Sequence, residues 1–106
     1  MVRHFVEMLL DILTEVADAG QIAKTRLMHR SRMTTKNVTP MIGFLVDRGL
    51  LEEVEPPKVK YRRSYARQVK ALYRITVAGK ALLRMEPTVE NPGVLYEYSR
   101  WKRARE

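Results

Sequence analysis

The sequence contains no cysteine, which excludes disulfide bonds, thiol catalysis and cysteine-bound zinc. Its two histidines, His4 and His29, have no carboxylate or cysteine partners at ligand spacing, so no metal site is expected. A phosphate-cradling glycine loop, a His-Glu-x-x-His motif and a nucleophile–base pair are also missing. We therefore predict a protein that is not an enzyme and that needs no metal or other cofactor.

Long apolar runs are missing as well. No stretch approaches the roughly 20 apolar residues that cross a bilayer. Acidic residues at Glu7 and Asp11 follow the charged N-terminus, where a signal peptide would be apolar. We expect a cytoplasmic protein with no membrane partner. A length of 106 residues, 45% of them hydrophobic, predicts one small domain with a modest core.

Acidic residues are absent from the two segments that are richest in positive charge. Between Gln21 and Val46 the basic residues are Lys24, Arg26, Arg30, Arg32 and Lys36. After Pro56-Pro57 they are Lys58, Lys60, Arg62, Arg63, Arg67 and Lys70. Together with a formal net charge of +8, this layout predicts a nucleic-acid partner, because such a surface attracts phosphates and releases their condensed counterions.

Hydrophobic periodicity predicts two helices in the first third of the chain. The first runs from Arg3 to Asp18, and Gly20 is the residue that terminates it. Its buried face comprises Phe5, Leu9, Ile12, Leu13 and Val16, and its solvated acidic face Glu7, Asp11, Glu15 and Asp18. Gln21-Ile22 is long enough only for a bridging strand. The second helix covers Ala23 to Arg30, buries Leu27 and Met28, and leads into a turn that ends at Met33.

A third helix follows, with Thr34 or Thr35 as its N-cap. Its predicted buried stripe is Val38, Ile42, Leu45 and Val46. Pro40 either bends this helix or begins a shorter one that Thr39 caps. We prefer the longer helix, because Val38 already keeps the apolar register. Gly49 suits the left-handed position that closes it.

The remaining chain predicts a hairpin and two more helices. Strands at Leu50–Glu55 and Ala71–Ile75 flank a long basic loop, here called the wing. Thr76 caps a helix over Val77–Met85, which would bury Ala78, Ala81 and Leu82, with Met85 as a further candidate. Residues 86–92 form a linker, and 93–106 a basic helix whose stripe is Leu95, Tyr98 and Trp101. Such a short helix docks on its own domain (residues 1–85), pairs with a second copy, or folds on nucleic acid.

The predicted order is that of a winged helix-turn-helix: mostly α with a small β-hairpin, plus a C-terminal helix. Two segments resemble small archaeal winged-helix regulators and chromatin-associated proteins: "AKTRLMHRSRMTTKNVTPMIGFLVDRGLLEE" (Ala23–Glu53) and "LYRITVAGKALL" (Leu72–Leu83). They carry that group's Lys-Thr-Arg-aliphatic-Met stretch, Gly-Leu helix exit and Tyr-Arg-Ile-Thr-x-x-Gly strand. The resemblance implies duplex DNA binding and a homodimer that pairs long C-terminal helices antiparallel. Here Pro87 and Pro92 interrupt that helix.

Candidate contacts follow from this arrangement. First turns of a recognition helix reach base edges, which gives Thr35, Lys36, Asn37 and Thr39. Phosphate contacts are assigned to Lys24, Arg26, Arg30 and Arg32, and wing contacts to Lys58, Lys60, Arg62, Arg63 and Arg67. The dimer or docking residues are Leu95, Tyr98 and Trp101.

The leading hypothesis is a duplex DNA-binding regulator or nucleoid-associated protein, with the third helix in the major groove and the wing on the minor groove or backbone. An RNA or ribonucleoprotein accessory factor is the alternative, since the Tyr- and Arg-rich wing and the basic tail also suit RNA. A protein–protein module of a larger complex is a third hypothesis. Competition among duplex DNA, structured RNA and single strands at one salt concentration would separate them.

Overall fold

A computed structural model describes residues 3–56 and 71–105. Its elements are α1 (Phe5–Ala19), α2 (Lys24–Ser31), α3 (Thr35–Asp47), β1 (Leu51–Val54), β2 (Leu72–Ile75), α4 (Val77–Arg84), a 3-10 helix (Gly93–Glu97) and α5 (Tyr98–Ala104). The described part of the chain is thus mostly helical with one antiparallel two-stranded sheet. This confirms the predicted fold class and the helix, helix, helix, hairpin, helix order.

Helix α1 forms the centre of the core. Val6, Leu9, Ile12, Leu13 and Val16 are all buried, as helical spacing predicts for four of them, while Phe5 is only half-buried at the edge. The His4 imidazole caps the helix by accepting the Val6 N–H at 3.1 Å. The chain leaves α1 at Gly20, whose φ of 80° favours a residue without a side chain.

The α2–α3 unit is built around a tight turn. Arg32 has φ 56° and ψ 45°, a left-handed conformation that lets Met33 turn back into the core. Helix α3 begins at Thr35 and includes Pro40, so the longer of the two predicted helices is correct. Thr34 is the N-cap residue, but its side chain makes no capping hydrogen bond.

The buried side of α3 is wider than the predicted stripe. Val38, Ile42 and Leu45 are buried as expected, whereas Val46 is only half-buried. Phe44, which is outside the predicted stripe, is fully buried. Its ring lies on a second side of the helix, where the C-terminal segment covers it. That cover is a contact between residues distant in sequence, which periodicity within α3 does not report.

The end of α3 passes directly into the hairpin. Gly49, at φ 72°, occupies the predicted left-handed position. The Gly49 N–H donates to the Val46 carbonyl at 3.0 Å, and the Leu50 N–H donates to the Leu45 carbonyl at 2.9 Å. This pair of hydrogen bonds is a Schellman motif, and it directs Leu50 into the core.

The sheet pairs β1 with β2 so that Leu51 lies opposite Ile75 and Val54 opposite Leu72. Ile22 bridges to Tyr73, as the predicted bridging strand requires. On the sheet's exposed side Arg74 of β2 forms an ion pair with Glu52 of β1. The wing cations Lys58, Lys60, Arg62, Arg63 and Arg67 lie outside the described residues.

Helix α4 corrects one prediction. Thr76 is its cap, and the Gly79 N–H donates to the Thr76 hydroxyl at 3.0 Å. Leu82 is buried as predicted, but Ala78 and Ala81 are exposed and Met85 is 75% exposed, so the predicted buried face is wrong at these three positions. Gly79 and Leu82 are the buried residues. The helix turns this way because Gly79, having no side chain, fits against the Leu50 carbonyl and Ile75.

The C-terminal segment packs on its own domain. The single helix predicted from Gly93 is instead a 3-10 helix followed by α5, which begins at Tyr98. Leu95 is fully buried and Tyr98 is 5% exposed. Burial raises the pKa of the Tyr98 phenol above its ordinary value of 10.0, because the phenolate would lose hydration. In the described ranges we find no helix with the length and apolar character needed to span a bilayer.

Candidate nucleic-acid interface

The four residues predicted to contact bases are exposed on the first turns of α3. Thr39 accepts a hydrogen bond from the Lys24 ammonium at 3.4 Å. The Thr35 hydroxyl lies 3.4 Å from the Met28 sulfur. Lys36 shares its side of the helix with Thr39, whereas the spacing of Asn37 places it on the side of Phe44. The helix therefore presents two of its candidate base contacts, Lys36 and Asn37, in different directions.

Three of the four predicted phosphate contacts divide between two surfaces. Lys24 reaches Thr39 and so lies beside the exposed turns of α3. Arg30 turns toward α1, where it lies 3.3 Å from the Glu15 carboxylate. Arg32 borders the same cleft as Arg30, and both it and Arg26 are exposed.

The Arg30 cleft is an ion-pair cluster between α1 and the end of α2. Arg3 pairs with Asp11, and its guanidinium also donates to the Ser31 carbonyl at 3.1 Å. Two of the four carboxylates on the predicted acidic face of α1 are thus engaged by arginines. The electrostatic attraction of this cleft for phosphate is therefore weaker than its count of arginines alone indicates.

Helix α5 packs on the side of α3 that carries Gly43, Phe44 and Asp47. The sequence predicted a C-terminal helix but not this contact. The Trp101 indole N–H donates to the Asp47 carboxylate at 2.7 Å, and its ring packs edge-to-face on Phe44 with centroids 5.6 Å apart. A Cβ at Gly43 would lie 3.3 Å from the Trp101 Cη2. Glycine at this position therefore lets the indole approach the α3 backbone.

Further contacts hold the C-terminal segment in place. Tyr98 packs edge-to-face on Phe44 at a centroid distance of 5.4 Å, and Glu97 forms an ion pair with Arg48 at 3.1 Å. The predicted docking stripe of Leu95, Tyr98 and Trp101 thus lies against the chain's own domain.

A groove of about 450 Å³ remains between α3 and α5. Its lining residues are Thr39, Pro40, Gly43, Trp101, Lys102 and Arg105. We call it the α3–α5 groove. The sequence places these cations on a basic C-terminal helix, and none of them was among the predicted contacts. The helical spacing of these basic residues predicts that they lie on a helix, but it does not show which other element that helix contacts.

The described residues offer no metal site. Among residues 3–56 and 71–105, no three histidine, aspartate or glutamate side chains are grouped so as to hold an ion.

Comparisons with known proteins agree with this geometry. The family model described as "Winged helix-turn-helix" matches residues 3–91. A solved protein with a GntR superfamily winged-helix-turn-helix domain from Halomicrobium mukohataei is 26% identical, with a TM-score of 0.63, and the match covers 95% of this chain and 68% of that one. A search among curated proteins gives no match.

Two solved regulators of the MarR family show the same fold at 22% identity. The one from Silicibacter pomeroyi has a TM-score of 0.55, with 92% of this chain and 57% of that chain covered. The one from Neisseria meningitidis has a TM-score of 0.54, with 70% and 46% covered. The chain spans about half the length of these two regulators.

Proposed function

Because this chain belongs to the winged helix-turn-helix family, we propose that it binds duplex DNA as a transcription regulator or nucleoid-associated protein in the cytoplasm. In this proposal the first turns of α3 enter the major groove and the wing contacts the minor groove or backbone. The likeness to regulators of the MarR family and to a GntR superfamily domain supports the fold on which the proposal depends.

One observation carries the proposal: polar and basic side chains of two helices meet on an exposed surface at Thr39. Lys24 of α2 contacts Thr39, and Lys36 lies one turn earlier on α3. A helix with exposed donors in its first turns and a lysine of the preceding helix beside it can read base edges while a phosphate is held alongside. We assign base contact to Lys36, Asn37, Thr35 and Thr39, and phosphate contact to Lys24 first among the α2 cations.

Lys36→Ala and Asn37→Ala are the variants that test base reading. We expect each to weaken binding to a preferred duplex by about 1–3 kcal/mol while affecting random duplexes less. The preferred duplex would first be selected from a random pool, and affinities would then be measured by fluorescence anisotropy at one salt concentration.

Arg103→Ala, which removes an exposed arginine from α5 outside the α3–α5 groove, is the matched control. It should shift both duplexes equally and weakly, because it changes only the overall charge. Equal losses on preferred and random DNA in the Lys36 and Asn37 variants would contradict base reading by α3.

Competition with structured RNA and single strands tests the alternative of an RNA or ribonucleoprotein factor. Stacking on bases needs an accessible aromatic face. The basic tail around Trp101 was one reason for that alternative, and this ring packs on Phe44 and Tyr98, with the Arg105 guanidinium 4.9 Å from its centroid, so only its groove side is open. Duplex DNA should therefore compete best.

We also propose that the protein binds DNA as a homodimer. Supporting this, Val77 and Met85 of α4 are 82% and 75% exposed, and Ala81 lies between them at helical spacing. The exposed apolar side of α4 is thus better placed for a subunit contact than Leu95, Tyr98 and Trp101.

Light scattering should give twice the monomer mass at micromolar concentration. Val77→Lys combined with Met85→Lys should lower it to the monomer mass without unfolding the chain, because both side chains are exposed. A double lysine variant that keeps the dimer mass would exclude this surface.

A further inference from the structure

We propose that the α3–α5 groove binds the sugar-phosphate backbone of the DNA strand that flanks the base-reading turn. This inference rests on the proposed function and adds a contact element to it. The C-terminal helix then belongs to the interface itself, with Lys102 and Arg105 as its phosphate-binding side chains.

The position of the groove is the first reason. Thr39 is shared by both surfaces, since it accepts a hydrogen bond from Lys24 and also lines the groove with Lys102 and Arg105. Cations from α2 and α5 therefore flank the same turn of α3. In the proposed complex, a strand whose bases face Lys36 and Thr39 would pass beside this opening.

The chemistry of the groove is the second reason. Its floor consists of Pro40, Gly43 and the Trp101 indole, which are apolar and suit the carbon face of a deoxyribose. Lys102 and Arg105 carry positive charge, as phosphate binding requires. Asp47 is nearby, but its carboxylate accepts the Trp101 N–H at 2.7 Å and lies 3.6 Å from the Arg105 guanidinium. Those contacts offset the repulsion that this carboxylate would exert on phosphate, while the ion pair also lowers the attraction of Arg105 for phosphate and leaves Lys102 as the main phosphate-binding cation.

The attachment of α5 is the third reason. Buried Tyr98, the Trp101–Asp47 hydrogen bond and the Arg48–Glu97 ion pair hold the helix on α3 before any ligand arrives. Its cations are therefore positioned in advance, so that binding costs less side-chain and backbone ordering. The same contacts cover the exposed side of α3 at Gly43 and Asp47. Base reading is then confined to the first two turns of α3. The part of α3 that α5 covers lies beside the sugar-phosphate backbone of the DNA.

Two cation pairs on opposite sides of α5 provide a matched experiment. Lys102 and Arg105 line the α3–α5 groove, whereas Arg100 and Arg103 line a separate cleft with Phe5 and Tyr96. Lys102→Gln with Arg105→Gln should weaken duplex binding on the order of tenfold and reduce the slope of log K against log salt by about 1.8. Arg100→Gln with Arg103→Gln removes the same charge and should change the slope by much less.

Lys102→Gln alone retains Arg105 over Trp101 and at Asp47, so it tests the groove even where the double variant loses stability. It should reduce the slope by about 0.9. Thermal unfolding of each variant would show that the chain remains folded at the binding temperature.

Trp101 is the single tryptophan of the chain and lies in the groove, so it gives a direct second readout. Duplex titration should change its fluorescence with the same dissociation constant that anisotropy gives. An unchanged Trp101 signal, or equal salt slopes for the two double variants, would overturn the groove assignment. The proposed function would still stand if the wild-type protein binds the duplex. If the wild-type protein binds no duplex, both the groove assignment and the proposed function are wrong.

Discussion

Replacing Gly79 with alanine is expected to lower the free energy of unfolding by about 3 kcal/mol or more. A Cβ at this position would lie 2.6 Å from the Ile75 Cγ1, and it would come still closer to the Leu50 carbonyl oxygen. Backbone atoms of the hairpin cannot move aside as a flexible side chain can. Helix α4 would have to lift from the sheet, which would expose Leu82 and weaken the cap at Thr76.

Gly43→Ala is the matched control, because it is the same substitution within another helix. Its Cβ would meet only the Trp101 ring, at 3.3 and 3.7 Å. Alanine also stabilises a helix interior by about 0.5–1 kcal/mol relative to glycine. We expect a net change within about 1 kcal/mol, measured by urea unfolding monitored by circular dichroism. If Gly79→Ala costs no more than Gly43→Ala, the close packing of α4 on the hairpin is wrong.

The second large effect is expected from Tyr98→Ala. The ring is 5% exposed and packs against both Phe44 and Phe5, at centroid distances of 5.4 and 5.8 Å. Removing it takes away the aromatic contact that joins α5 to α1 and α3. Substituting a buried aromatic residue by alanine costs about 3–5 kcal/mol, so we expect a loss of at least about 3 kcal/mol in urea unfolding.

Tyr98→Phe separates ring packing from the hydroxyl. It keeps the aromatic contacts and should remain within about 1 kcal/mol of the wild type. Trp101 fluorescence adds a local readout, since detachment of α5 would move the indole away from Phe44 and Asp47. A small loss in Tyr98→Ala with an unchanged Trp101 spectrum would contradict the packing of the C-terminal segment on α3.

Local patterns in the sequence predicted the elements that depend on local physics. The apolar spacing of Leu9, Ile12 and Val16 fixes the buried face of α1, because residues three and four apart share one side of a helix. The caps at Thr76 and Gly49 were predicted for a similar reason, since a side-chain acceptor or a positive φ acts over only a few residues. Val38 likewise indicated that α3 runs through Pro40.

The errors lie where apolar residues surround a helix and several faces compete. In α4, Ala78 and Ala81 matched the helical period as well as Leu82 did. Packing decided between these faces, since Gly79 alone lets the α4 backbone approach the Leu50 carbonyl. The role of that glycine in the Tyr-Arg-Ile-Thr-x-x-Gly pattern is therefore steric and depends on the hairpin beneath it.

By itself the sequence determined that this chain is a basic winged helix-turn-helix domain with exposed polar residues on the first turns of α3. Helical periods, caps and charge segregation are local properties, and a single sequence carries them in full. Only the tertiary structure decided that Tyr98 and Trp101 cover α3 of the same chain, and that Lys102 and Arg105 lie beside Thr39. Those contacts join residues more than 50 positions apart, and they depend on the shape of both surfaces, which no local pattern encodes.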